Sequence, residues 1–367
     1  MALLSEIMDA LGQVYPWELA ADDPSSGLLC GSPEDRATRV WCSVGVSEGT
    51  LRRAADEGVD LVVVHDPFFA GAPREVAGRA AARECRSART RGIGIIGCCR
   101  NLAVSPRGTA GLTARDLGVR RPVPILPVPD AWLAKVVVFV PDEALEEVFL
   151  AMAGAGAGAL GDYTHAGFRT RGTGTFLPGA GANPFKGRVG RLEFVDETRL
   201  EIVCPSFLLE RVAGAMLEAH PYEEVAYDVY RTETPVPWGY GRIGNLESGM
   251  SGDALQERIA GLFPSADIIV PADGVRAAAR VAVAPGAGDR LLHPALDLGA
   301  EIFITGELNR KAMAFALEAG VTVAVLGFDS SHDVATGELV KVLEAAAFER
   351  DWNIEIKKMP TGGKDGD

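Results

Sequence analysis

The feature that most constrains this chain is a set of short, continuously apolar runs separated by helix-length amphipathic segments. Residues 40–46, 61–64 and 93–96 near the start, and 279–284, 302–304 and 321–326 near the end, are mostly apolar and do not alternate with polar residues. A half-exposed antiparallel strand alternates; a strand buried on both faces does not. Helices are expected between the runs at 47–57, 75–91, 291–298 and 311–319, with Ser47 as an N-cap. A helix at 3–14 precedes them and a long one at 334–348 closes the series. Parallel sheets of this kind carry their chemistry in the loops at the carboxyl ends of the strands. His65-Asp66, Cys98-Cys99 and Asp329 through His332-Asp333 all follow such runs.

The middle of the chain has another texture. A proline-rich stretch at 121–129 reads as an extended linker, and 232–237 as a second. Between them the order is a strand at 135–141, a helix at 142–153 and a glycine-rich stretch at 154–190. Antiparallel strands at 192–195 and 200–204, a helix at 206–219 and a strand at 227–230 follow. This βαββαβ-like order suggests a ferredoxin-like unit inserted into a domain built from both chain ends. The expected boundaries are 1–128, 132–231 and 238–358, with a mobile tail at 359–367. If the insert is a module, a chain lacking it and bridged at the linkers remains soluble.

The formal net charge of −14 offers no basic stripe for nucleic acid. None of the six cysteines forms a CxxC pair, and a chain of this size needs no disulfide framework, so a reducing, cytoplasmic setting is expected. No apolar run is long enough for a membrane span, and the first residues lack a signal-peptide pattern.

His65, Asp66, Cys99 and His332 are donor types that strand-end loops can aim at one point, the chemistry of a metal site. Each alone also reads as an ordinary polar loop residue. Glu307, in Thr305-Gly306-Glu307, is a candidate general base, or else a carboxylate near a helix start. Gly286-Ala287-Gly288 lacks a full phosphate-binding fingerprint and reads as a tight turn. His220-Pro221-Tyr222-Glu223-Glu224 offers either a metal or peptide site or a solvated helix end. His165 and His293 are assigned to structure.

At these residues the chain resembles the YbgI/YqfO-type proteins, the Nif-three-like family often labelled GTP cyclohydrolase I type 2 homologues. PSSGLLCG at 24–31 stands where that family has a WDNVGL-like segment. DLVVVHDPFF at 60–69 matches its T-H-H-P motif, CRNLA at 99–103 its H-T-N-L-D, EIFITGE at 301–307 its T-G-E, and GFDSSH at 327–332 its G-H-x-x-x-E. GTGTFLP at 172–178 and HPYEEVAYD at 220–228 follow the long-form members closely. The resemblance covers almost the whole chain. It implies an α/β fold: two similar αβ halves form one outer domain with mostly parallel sheets, plus an inserted ferredoxin-like α+β domain of CutA/PII type. It also implies a ring-shaped homo-hexamer around a two-metal site.

The ligand pattern so implied is two adjacent His, then a His and an Asp, then a His and a Glu. Here the first stays as His65, while Asp66, Cys99 and His332 have changed donor type. Ala103 and Phe328 have no donor atom at all. The expectation is at most one ion per chain, zinc by its taste for thiolate and imidazole, held by His65, Asp66, Cys99 and His332. Three readings follow: a diverged metal-dependent hydrolase acting on a nucleotide or other heterocycle, a non-catalytic metal-binding or regulatory hexamer, and a metal-free pseudoenzyme.

Overall fold

A computed structural model describes residues 1–66, 74–161, 163–246, 252–270 and 280–359; Pro67 and the phenylalanines after it, and the tail from 360, lie outside them. The chain divides into two compact units, Met1–Val128 with Pro237–Asp367, and Pro129–Val236.

In the first unit, α1 (Leu4–Val14) places Leu4, Ile7 and Leu11 on one buried face, the spacing of an amphipathic helix. Then come β1 (Gly27–Cys30), β2 (Arg39–Ser43), α2 (Glu48–Asp56), β3 (Leu61–Val64), α3 (Arg74–Thr90) and β4 (Gly94–Gly97). Ser47 caps α2 by accepting from the Thr50 amide. Two short helices, α4 (Arg100–Val104) and α5 (Thr109–Asp116), lead to β5 (Val119–Val123). The second unit holds β6 (Leu133–Pro141), α6 (Leu145–Gly154), β7 (Gly167–Phe176), β8 (Glu193–Pro205), α7 (Leu209–Ala219) and β9 (Tyr227–Arg231). The first unit resumes with β10 (Arg242–Leu246), α8 (Gly252–Leu262), β11 (Asp267–Ile269), β12 (Arg280–Ala287), α9 (Asp289–Asp297), β13 (Ile302–Glu307), α10 (Arg310–Glu318), β14 (Thr322–Val325), α11 (Phe328–Glu349) and β15 (Glu355–Lys358).

One sheet has the order β15-β2-β3-β4-β1, parallel except for β1 against β4. Every residue of β3 and β4 is buried, as continuous apolar runs require. Full burial of a side chain such as Leu61 or Ile96 is worth about 1.5–3 kcal/mol. The other sheet has the order β11-β14-β13-β12-β10-β5. Only β12-β13-β14 are parallel there, so the expectation of mostly parallel sheets is corrected to a mixed one. Helix α11 contacts β2 and β15 of one sheet and β12 and β13 of the other. Its Ala335, Leu339 and Leu343 join Leu4, Ile7, Val40 and Leu61 in one core.

Several sequence expectations change. The proline-rich stretch is no free linker: Val119–Val123 pairs with β10, and Leu126 and Pro127 pair with Tyr240 and Gly239. Proline is tolerated in β5 because that strand lies at a sheet edge. The glycine-rich stretch contains β7, and the two short strands expected at 192–204 are one strand, β8. Helix α11 begins at Phe328, six residues before the expected start, so His332 sits on a helix and not in a loop. Met359, assigned to the tail, is buried against the first sheet and its amide donates to Cys42.

The second unit is a βαββαβ fold with strand order β7-β8-β6-β9, all antiparallel. Ala134, Val136, Val138 and Val140 of β6 and Leu200, Ile202 and Cys204 of β8 form its core with α6 and α7.

Candidate functional site

Strand β3 ends at His65. The His65 amide donates to Ser43 and the Asp66 amide to Val44, which extends the parallel ladder and fixes where both side chains emerge. Likewise the Cys98 amide donates to Val64, so Cys99 stands beside them. From the second half, the first turns of α11 bring His332 to the same place: the His65 and His332 rings are 4.8 Å apart at 53°.

His65 is 3% exposed. Its Nδ1 lies 3.0 Å from the Cys98 carbonyl oxygen, which can only accept, so Nδ1 carries the proton. Its Nε2 then accepts from the Thr109 hydroxyl at 3.1 Å. Both ring nitrogens are thereby engaged. His332 donates from Nδ1 to the Phe328 carbonyl at 2.9 Å, and the Phe328 ring packs on it at 4.5 Å. Gly286, at φ 71, makes room for this ring: a Cβ there would sit 2.7 Å from Cε1 of His332. Burial, then the neighbouring His332, pulls the His65 pKa down to about 3; burial also lowers that of His332. Both rings are neutral at physiological pH.

Beside the histidines is a second cluster. Burial, then the charges of Asp23 and Asp329, raises the Asp66 carboxyl to about 6. The Cys99 thiol is raised well above its ordinary value by burial, then by Asp23 and Asp66. Ser26 accepts from the Cys99 and Arg100 amides, and Asp23 accepts from the Arg100 amide at 3.2 Å. Thr109, Asp23 and Ser26 were not singled out in the sequence. The last two lie in or beside PSSGLLCG, where hydroxyl and carboxylate partners for a neighbouring loop were the available signal.

Glu307 closes β13 with an exposed side chain, and the segment before it is tightly built. Thr305 donates to the Glu307 carbonyl at 3.0 Å, and a Cβ at Gly306 would meet Ser331 Oγ at 2.5 Å. Gly286-Ala287 belongs to β12, so the tight turn begins after it.

The donor set does not fit a two-metal centre. Ala103 and Phe328 offer nothing, and the one lone pair of His65 accepts from the Thr109 hydroxyl. Among the described residues no three His, Cys, Asp or Glu side chains are arranged to hold a metal ion.

The profile of the family described as Duf34/NIF3 (NGG1p interacting factor 3) matches residues 2–362. The chain belongs to the Duf34/NIF3 family. A relative called GTP cyclohydrolase 1 type 2 homolog in Bacillus subtilis is 32% identical over 87% of this chain and 86% of its own length. One of the same name in Mycobacterium tuberculosis is 35% identical over 83% and 82%. Among solved structures, a Bacillus cereus protein related to NIF3 is 28% identical, with TM-score 0.77 over 100% of this chain and 98% of that one. The mixed α/β architecture is thus that of Duf34/NIF3 proteins. No described helix is long and apolar enough to cross a membrane.

In the inserted unit of this Duf34/NIF3 chain, His220 ends α7. Its Nδ1 accepts from the Tyr222 amide at 3.1 Å and its Nε2 donates to the Phe139 carbonyl at 3.1 Å. The ring must stay neutral to do both, and burial lowers its pKa. Below about pH 6.5 the unfolded chain takes a proton that the fold refuses, so stability falls as pH drops through the ordinary histidine range. Melting of the full chain at pH 5 against pH 7.5 shows this; in His220→Gln the pH-dependent loss shrinks, whereas an unchanged loss would remove His220 as its source.

Proposed function

We propose that this chain keeps the Duf34/NIF3 fold without its hydrolytic metal chemistry and serves as a non-catalytic, ligand-binding or regulatory member of the family. One observation carries the reading. His65 alone keeps its family ligand type, and both its nitrogens are satisfied by protein, at 3.0 Å and 3.1 Å. A metal at Nε2 would have to displace the buried Thr109 hydrogen bond, worth about 0.5–1.5 kcal/mol net, while the Nδ1–H bond to Cys98 could stay. The Phe328 ring on His332 supports the same reading by keeping that side apolar.

A second reading has one observation in its favour. Asp66 and Cys99 are close enough for Asp66 to raise the thiol's pKa, and Asp23 adjoins both. Paired with rotated His65 and His332 side chains, they would make a single zinc site in a diverged hydrolase acting on a nucleotide or other heterocycle, with Glu307 as base. The βαββαβ order of the inserted unit supports its assignment to the CutA/PII type. The family resemblance supports a cytoplasmic homo-hexamer, for which light scattering should give six times the chain mass.

Elemental analysis after purification from zinc-supplemented medium separates the readings. We expect far less than one ion per chain, and a melting temperature that a chelator leaves unchanged. Stoichiometric zinc that falls in Cys99→Ser would overturn the metal-free reading, as would GTP hydrolysis abolished by Glu307→Gln.

A further inference from the structure

The helix-free face of the inserted unit's sheet carries a cavity of about 680 Å³, lined by residues of that unit alone. Such a volume suits a small molecule. Its construction follows from strand alternation: Ala134, Val136 and Val138 point to the helices, so Phe139 on β6 points away from them. In register with Phe139 is Arg199, two residues from Glu197, and Glu197 lies opposite Gly172 of β7. The segment after β7 and the turn at Tyr222 complete the walls.

Three rings gather there, Tyr222 standing 6.4 Å from Phe176 and 6.1 Å from Phe185. Glu197, 8% exposed, lies beneath them, and the Tyr222 hydroxyl donates to its Oε1 at 2.8 Å. One donor leaves most of a carboxylate's acceptor capacity unused. Oε2 lies against Gly174, where a Cβ would come within 2.1 Å; a Cβ at Gly172 would meet nothing within 4 Å. Glycine inside a strand weakens it, and this pair leaves room for a carboxylate and for a close-lying ligand. Three other charges of the lining are engaged elsewhere, Lys186 with Glu143, Arg199 with Glu201, and Glu223 with the Asn183 amide, and Arg171 and Glu224 complete its charged lining. What faces a guest is an aromatic wall with a buried acceptor at its base.

We infer that this cavity binds a planar nitrogen heterocycle with a ring N–H beside an amino group, of 2-amino-oxopurine or 2-amino-oxopteridine type. Its face would lie on Phe176, Phe185 and Tyr222, and its N–H edge would donate to Glu197. Aromatic walls take flat rings of any kind; the carboxylate selects those whose edge carries two adjacent donors. The inference is independent of the fate of the histidine site in the other unit.

The test is a fluorescence titration of pterin, which is itself fluorescent and carries a ring N–H beside its 2-amino group, with the full-length protein. Stacking should quench the probe saturably, and guanosine should compete. Glu197→Gln should weaken binding about tenfold, the loss of one charge-assisted hydrogen bond. Phe185→Ala, which removes a half-exposed ring and should fold normally, should weaken it by a similar factor. Lys341→Ala, in the other unit, should leave it unchanged. No quenching at millimolar probe, equal binding by Glu197→Gln with an unaltered melt, or agmatine competing as well as guanosine would each overturn the inference. The last would mean that the cavity selects charge and not a ring.

Discussion

Arg242→Met lowers the unfolding free energy of the first unit by about 3–5 kcal/mol. Arg242 is 2% exposed. One guanidinium nitrogen donates to the carbonyls of Gly239 and Gly241 at 2.6 and 2.7 Å, the other to Val104 at 3.2 Å. Burial pulls its pKa down to about 10, so the group remains charged at neutral pH and is compensated by carbonyl dipoles. Methionine fills the stem's volume but leaves three carbonyls without this donor. Val104 comes from the first half of the chain and the glycines from the second, so the loss also loosens the junction between them. Urea unfolding with an unchanged slope would register it as a fall in midpoint. A variant within about 1 kcal/mol of the wild type would mean that water replaces the guanidinium.

Gly97→Ala costs about 3 kcal/mol and exposes Cys99. A Cβ at Gly97 would stand 2.1 Å from the Ser25 carbonyl oxygen and 3.0 Å from Leu29 Cδ1. The first of these is backbone and cannot swing aside, so β1 must move off β4. Ser26, which holds the Cys99 and Arg100 amides, moves with it. Reaction of thiols with an aromatic disulfide should show one additional fast cysteine, lost again in Gly97→Ala/Cys99→Ser. A melt and a labelling profile like those of the wild type would show that the strand pair absorbs the methyl group.

The parallel strands were legible because burial on both faces leaves an unbroken apolar signature, as in Leu61–Val64. The placement of His65, Asp66 and Cys99 at strand ends followed from it. The start of α11 was not legible. Gly327-Phe328-Asp329-Ser330-Ser331 is poor in helix formers, and the turn is held by tertiary partners such as the Gly286 amide, which donates to Ser331 Oγ at 3.0 Å. Strand β7 was hidden because glycines at 172 and 174 erase the side-chain pattern on one of its faces. The state of His65 was beyond reach for a related reason. Its partners, Cys98 and Thr109, are set by the approach of β4 and α5, and spacing along the chain carries no record of either.

Strand β15 gives the chain a particular order of events during synthesis. Residues 355–358 pair in parallel with 39–42, so the first sheet lacks an edge until residue 358 has been made. Until then β2 presents an open row of backbone donors and acceptors to whatever is nearby, including another nascent copy. Closing so long a loop is slow, and its entropic cost must be met before the pairing rewards it. Ribosomes stalled before residues 355–358 have emerged should therefore carry chains whose segment around 39–97 is still protease-sensitive, although most of its core residues emerged long before.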